Sequence, residues 1–140
     1  MVEQEQDQRS LEEEAAADMH IDEDPVMLAY ATRTLPERLQ VWADRAAKAK
    51  VALAVADQDV ELAYSRAFLD ARGQKRGDKT YTVEDAKASA LCSPDYQSAL
   101  VHRTGVESLY LFHKTVVDAL VKKADMLREI GANQRADTRV

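Results

Sequence analysis

A cluster of cationic side chains near the middle of the 140-residue chain is its strongest candidate for binding chemistry. Lysine and arginine neutralise phosphates and release counterions, and aromatic rings stack on unpaired bases. The combination favours a single-stranded nucleic acid, although Tyr64 and Phe68, one turn apart, are more often core residues and a basic loop is usually just solvated. The cations are Arg66, Arg72, Lys75, Arg76 and Lys79, with Tyr64, Phe68 and Tyr81 interleaved or adjacent.

No arrangement of residues in the sequence is typical of catalysis. A Walker-type phosphate loop, a His-Glu-x-x-His zinc motif, a Cys-x-x-Cys pair and a nucleophile elbow are all absent. His102 and His113 are eleven residues apart, too far along one straight helix to share a metal ion. Cys92 has no local partner that would make it a nucleophile. We therefore expect no enzyme activity, no cofactor and no metal.

The single cysteine and the distribution of charge bear on compartment and partners. One cysteine excludes an internal disulfide, and the sequence has no leader peptide and no apolar run of membrane length, so we expect a cytoplasmic protein and no membrane contact. Residues 1–24 carry a net charge of -9, so the total of -6 leaves +3 on residues 25–140. The sequence predicts an acidic arm and a mildly basic body, which have different partners or bind each other.

The acidic arm, residues 1–24, contains one local helix signal. Ser10 and Glu13 form a capping pair for a short helix over about 11–19, and Pro25 ends it. Apolar residues are sparse there, which favours a solvated, partly disordered segment as the alternative.

The body, residues 25–131, is predicted to be one helical domain. Thr34 and Glu37 start a long helix over about 35–72, a basic loop follows at 72–79, and Thr82 caps a short helix over about 83–91. A second long helix covers about 94–130 and stops before Gly131, and residues 132–140 form a polar tail. In the first helix an uninterrupted heptad seam contains Leu35, Leu39, Trp42, Ala46, Ala49, Leu53, Ala56, Val60, Ala63 and Ala67.

These elements predict an all-α fold, in which a long helical hairpin with short accessory helices completes its core in a homo-oligomeric bundle or ring. A two-helix hairpin of about 50 Å per helix exposes much apolar surface, which favours association. The expected oligomerisation residues are Leu35, Leu39, Trp42, Leu53, Val60, Leu109, Phe112, Val116, Leu120 and Leu127.

Several short motifs follow one another in a fixed order over residues 10–131. They are Leu11-Glu12-Glu13 with Asp18 and Ile21-Asp22, then Lys50-Val51-Ala52-Leu53, then Leu69-Asp70 with the Gly- and Arg-rich connection through Gly77-Asp78, and finally Lys87 ahead of Asp95. This order resembles the UvsY-type recombination mediators of tailed bacteriophages. In that family's DNA-contacting motif two cations stand one residue apart before Leu-Asp. Here Arg66 matches the first and Phe68 replaces the second, so binding is either weaker or carried by the loop cations.

The resemblance implies a ring-like homo-oligomer in the host cytoplasm that binds single-stranded DNA. Such a protein remodels the complex of that DNA with single-strand-binding protein and helps load a RecA-like recombinase. Two other classes stay open: a non-enzymatic structural or adaptor protein of phage assembly or regulation, and an inhibitor whose acidic arm mimics DNA. With the cationic cluster, the resemblance assigns DNA binding to Arg66, Arg72, Lys75, Arg76, Lys79, Tyr81 and Lys87.

Overall fold

Helices make up nearly all of the chain, which confirms the predicted all-α class. The computed structural model describes residues 2–77 and 79–138, and for residues 2–6, 75 and 76 it describes the backbone alone. None of the helices within these ranges has an apolar stretch long enough to cross a membrane. The elements in chain order are α1 (Val2–Met19), α2 (Pro25–Gly73), β1 (Lys75–Arg76), β2 (Lys79–Thr80), α3 (Val83–Leu91) and α4 (Pro94–Asp137).

The chain divides into two compact units, and the long helices α2 and α4 contribute to both. Unit 1 comprises Met1–Ala46 and Phe112–Val140, and unit 2 comprises Ala47–Leu111. Within each unit α2 and α4 run in opposite directions beside one another. In unit 1 Trp42 contacts Phe112, while Leu35, earlier on α2, lines a groove with Leu127, later on α4. In unit 2 Asp57 pairs with Arg103, and Tyr64, later on α2, contacts Tyr96, earlier on α4. All members of the heptad seam are buried or half-buried, so the seam packs inside the chain.

The core of unit 1 forms around Trp42, whose side chain is fully buried. The edge of the Phe112 ring meets the indole at 6.1 Å, and the His113 ring lies 5.7 Å from it. Leu39, Phe112 and Ala124 pack against this core from α2 and α4. The other large residues of the core are Leu35, Val116, Leu120 and Leu127.

The acidic segment is a helix that packs on unit 1, where the sequence predicted a short helix or a partly disordered arm. Ala15 is buried at 1% exposure and Leu11 packs beside it. Glu14 and Asp18, one turn apart on the same face, form ion pairs with Arg38 of α2. The polar partners of this helix are 20 or more residues away in sequence, so a local pattern does not identify them.

Both long helices extend beyond the bounds expected from their sequence signals. Helix α2 begins at Pro25, about ten residues early, because the Asp24 carboxylate accepts the Val26 amide at 2.8 Å and proline suits the first helical turn. Pro36 therefore lies inside the helix, and the Thr34 hydroxyl donates to the Tyr30 carbonyl instead of capping. Helix α4 continues through Gly131 to Asp137.

Unit 2 contains the second half of α2, the hairpin β1–β2, α3 and the first half of α4. Alanines supply most of its buried positions, which lets the helices approach closely. Arg103 of α4 forms an ion pair with Asp57 of α2 and another with Glu107 one turn away. The buried alanines are Ala49, Ala56, Ala71, Ala86 and Ala90.

Candidate nucleic-acid interface

The basic loop predicted at residues 72–79 contains a small antiparallel β-hairpin. Lys75 pairs with Thr80 and Arg76 pairs with Lys79. Gly77, in the connection, has a φ of 67°, a backbone conformation that glycine adopts without steric cost. Four of the predicted cations, Arg72 to Lys79, therefore lie on or beside one tight hairpin.

One side-chain and one backbone hydrogen bond fix the hairpin between the end of α2 and the start of α3. Arg72 Nη1 donates to the Tyr81 carbonyl at 3.0 Å, and the Tyr81 amide donates to the Gln74 carbonyl at 3.3 Å. Helix α3 then begins with a capping box, in which Thr82 Oγ1 accepts the Asp85 amide and the Asp85 carboxylate accepts the Thr82 amide. The cationic segment is thus held to both helices rather than being a loose connection.

The exposed cations of this segment face solvent and are available to an anion. Arg72 and Lys79 are exposed, and Lys87 on α3 is exposed beside Glu84, its ion-pair partner at 3.1 Å. Tyr81 is half-buried at the base of the hairpin. The structure brings these residues together in one short stretch of chain, as the sequence predicts, with the backbones of Lys75 and Arg76 between them.

Arg66 has different surroundings from the hairpin cations. It lines a groove of about 370 Å³ together with Asp59, Asp70 and Asp95. Three carboxylates line the same groove and repel a phosphate, so this position is less suited to the backbone of a nucleic acid than the hairpin. The hairpin is therefore the better candidate. Of the two alternatives that follow from Phe68 in place of a cation, weaker binding or binding by the loop cations, this favours the loop cations.

Tyr64 and Phe68 belong to the packing of unit 2, the alternative that the sequence left open. Their rings stack at 6.4 Å with an angle of 17° between them. The edge of the Tyr96 ring meets Tyr64 at 5.6 Å, which joins this pair to α4. Both side chains are half-buried, so they are not free platforms for unpaired bases.

Most of the residues predicted to join copies of the chain lie inside the chain itself, which corrects that assignment. Leu35, Trp42, Val116, Leu120 and Leu127 are buried in the core of unit 1, with Leu39 and Phe112 packed on it, while Leu53 and Val60 are half-buried. Leu109 alone of this set is exposed. One chain covers the seam because its two long helices pair with each other in each unit.

The exposed apolar surface of α2 is a second stripe of side chains, separate from the buried seam. Val51, Val55, Leu62 and Leu69 follow heptad spacing on the outer side of α2 and are 51–68% exposed. They extend over about 27 Å of helix at 1.5 Å per residue. All four residues lie off the seam, on a second side of the helix.

A charged cluster in unit 1 was not foreseen from the sequence. Arg38 Nε donates to both oxygens of Asp18, at 3.0 and 2.9 Å, and Arg38 Nη2 donates to Glu14. Arg45 Nη1 reaches the other Glu14 oxygen at 3.0 Å. Trp42 Nε1 donates to Asp18 at 2.8 Å. The i, i+4 spacing of two acids beside Leu11 and Ala15 is the signal that would have indicated a packed face.

This cluster perturbs the ionisation of its members. The hydrogen bond from Arg38, aided by Arg45, lowers the pKa of Glu14 against the effect of burial. Burial acts to raise the pKa of Asp18, but the hydrogen bonds from Arg38 and Trp42 outweigh it and the pKa is lowered. Burial lowers the pKa of Lys123, whose ammonium donates to the Asp18 carbonyl. Both carboxylates are therefore held in the charged form at neutral pH.

The remaining candidates for chemistry are separate from one another. His113 is buried at 5% exposure against Trp42, its pKa is lowered by burial, and its Nδ1 has no hydrogen-bond partner among the residues that the structure describes. Cys92 is an exposed free thiol after α3. In the part of the chain that the structure describes, no three metal-binding side chains come together.

Comparisons with known proteins bear on the fold. No protein-family model matches the sequence, and a search of curated proteins finds no match. The structure is similar to the crystal structure of the recombination mediator protein UvsY of bacteriophage T4, with a TM-score of 0.73 and 18% sequence identity. The similarity covers 93% of this chain and 96% of the T4 protein. This chain therefore has the fold of a phage recombination mediator over nearly its full length.

Proposed function

We propose that the chain is a non-enzymatic recombination mediator that binds single-stranded DNA. The observation that carries the proposal is the similarity of fold to a protein of that role over 93% of the chain. The cationic hairpin supports it, because Arg72, Lys79 and Lys87 are exposed together where a flexible strand has access. In this role the chain makes and breaks no bond, and it acts by binding the strand and other proteins on it.

The partners follow from the same role. They are single-stranded DNA, the single-strand-binding protein that covers it, and a RecA-like recombinase that replaces that protein. Copies of the chain associate through the outer stripe Val51–Leu69 of α2, since its four apolar side chains are exposed to water in the single chain. A ring or bundle would place several cationic hairpins along one strand.

Fluorescence anisotropy with a labelled thymidine oligonucleotide tests DNA binding. Four phosphate contacts from the hairpin give a log–log dependence of affinity on salt with a slope of about -3, at about -0.7 per contact on a single strand. A variant in which Arg72, Lys75, Arg76 and Lys79 are all changed to glutamine should lose most of this slope.

The matched control removes the same number of charges elsewhere. Lys48, Lys50, Lys114 and Lys122 are exposed, and changing all four to glutamine gives the same net charge. Affinity that falls equally in both variants would show non-specific attraction, and absence of binding at low salt would reject the proposal. An oligomer that ignores DNA would favour the structural or adaptor class instead.

A further inference from the structure

The acidic helix α1 is held on unit 1 mainly by charge. Among residues 7–19, whose side chains the structure describes, Ala15 is the one that is buried and Leu11 packs half-buried beside it, so the apolar contact of this helix is small. The polar contacts are far more numerous, with Arg38, Arg45, Trp42 and Lys123 all donating hydrogen bonds to Glu14 or Asp18. A helix held in this way is displaced more easily by another anion than one held by apolar burial.

The basic excess of the body lies where α1 binds. Residues 47–111, unit 2, contain nine cationic and nine acidic residues and are neutral as a whole. Residues 25–46 and 112–140 contain nine cationic and six acidic residues, so they carry the whole +3 of the body. The acidic helix therefore covers the unit that would attract a polyanion most strongly if it were exposed.

The cations under α1 have the geometry of an anion site. Arg38 holds a carboxylate through a side-on pair of hydrogen bonds, the arrangement that guanidinium groups also use for phosphate. The Arg45 guanidinium lies 4.6 Å from the centre of the Trp42 ring, which fixes its position. A cavity of about 160 Å³ adjoins Arg38 and Lys123, and the two aspartates that also line it, Asp18 and Asp22, belong to α1 and to the segment that connects α1 to α2.

We infer that Arg38, Arg45 and Lys123 form a second binding surface for the phosphates of single-stranded DNA, and that α1 occupies this surface as a displaceable acidic lid. The inference rests on the proposed function, because it names the same ligand. Glu14 and Asp18 take the places of two phosphates in the closed state. Residues 20–24 connect α1 to α2 without helical structure, so α1 can leave while α2 keeps its Asp24 cap.

The decisive variant is Glu14→Gln with Asp18→Asn, which removes both carboxylates that touch the cations and leaves their size unchanged. The matched control is Glu12→Gln with Glu13→Gln, which removes two charges from the same helix at exposed positions. Each protein is titrated with a thymidine oligonucleotide over a range of salt concentrations, after circular dichroism has shown that its helicity is that of the unchanged chain.

Opening the lid adds up to three cation–phosphate contacts. The Glu14/Asp18 variant should therefore bind about ten-fold or more tightly than the control at low salt, with a salt slope steeper by about 2. Equal affinity and equal slope in the two variants, with DNA binding intact, would overturn the lid and leave the proposed function standing. Absence of binding in every protein would overturn both.

Hydrogen exchange in the unchanged protein gives a second measurement that does not depend on the fold of a variant. Adding the oligonucleotide should speed the exchange of amides in residues 10–19 while those in the Trp42 region of α2 stay protected. Unchanged or slower exchange in α1 at saturating oligonucleotide would show that the helix stays bound, and the lid would be rejected.

Discussion

Asp18 is the residue through which the attachment of α1 can be measured. Its carboxylate accepts hydrogen bonds from Arg38 and from the indole of Trp42, and its side chain is 16% exposed. Asp18→Asn keeps the size of the side chain but removes the charge. The new amide also brings two N–H donors towards partners that are donors themselves.

The expected loss of unfolding free energy is about 2 kcal/mol. A hydrogen bond to a charged group contributes about 1.5–3 kcal/mol, and the lower part of this range applies because Arg38 is a third exposed and keeps Glu14 as a partner. A few tenths of a kcal/mol return because Asp18 lies in the last turn of α1, where a negative charge opposes the helix dipole.

Urea unfolding at fixed protein concentration measures this loss. With a slope of about 2 kcal/mol per molar urea for a chain of this size, the midpoint should fall by about 1 M. Trp42 is the single tryptophan and contacts Asp18, so its fluorescence should change at lower urea than the circular dichroism. Glu12→Gln, at an exposed position of the same helix, is the control. A midpoint shift below about 0.3 M, or one equal to that of the control, would refute the assignment of Asp18 as the main anchor.

Three further results are expected. Acid should detach α1. The lowered pKa values of Glu14 and Asp18 give stability that is complete above their ordinary values of about 4 and is lost as the pH falls through the lowered values. Trp42 fluorescence between neutral pH and about pH 2 reports the detachment, and a flat signal would contradict the attachment of α1 by charge. Gly77→Ala should cost about 1 kcal/mol in thermal unfolding, from backbone strain alone, since no atom lies within 4 Å of the added methyl, and an unchanged melting temperature would argue against the hairpin turn. Leu62→Ser with Leu69→Ser should lower the molar mass in light scattering, while the free energy of unfolding of the single chain changes by less than about 0.5 kcal/mol. An unchanged mass would exclude the outer stripe as an interface.

The helical fold could be read from the sequence because its signals are local. The heptad seam and the Thr82 capping box are each contained in a few adjacent turns, and the class they predict is confirmed. The start of α2 was misplaced because Thr34, Pro36 and Glu37 look like a helix start, whereas Asp24 and Pro25 provide the actual one.

The site could be predicted less completely than the fold. The basic segment was located from composition, but its hairpin depends on backbone pairing between Lys75 and Thr80. The acidic groove around Arg66 is local in part, because Asp59 and Asp70 lie on the same helix, and only Asp95 of α4 is brought to it by the fold. The hydrogen bonds that hold α1 also join residues distant in sequence. Arg38 and Arg45 are 20 to 31 residues from the acids that they contact, and Lys123 is 105 residues from Asp18. In the sequence, only the helical spacing of Leu11, Glu14, Ala15 and Asp18 marks this face of α1, and nothing local identifies its partners.

Helix α2 has a cap of its own, so the acidic helix can be changed without disturbing the start of α2. The Asp24 carboxylate accepts the first amides of α2, and the Asp24 amide itself donates to the Asp22 carboxylate at 3.0 Å, so the start of that helix is complete without any residue of α1. A chain that begins at Asp22 would keep this start, and residues 20 and 21 offer a protease a non-helical place to cut. Shortening or exchanging the acidic helix would therefore change the attraction of the chain for polyanions while the start of α2 keeps its cap.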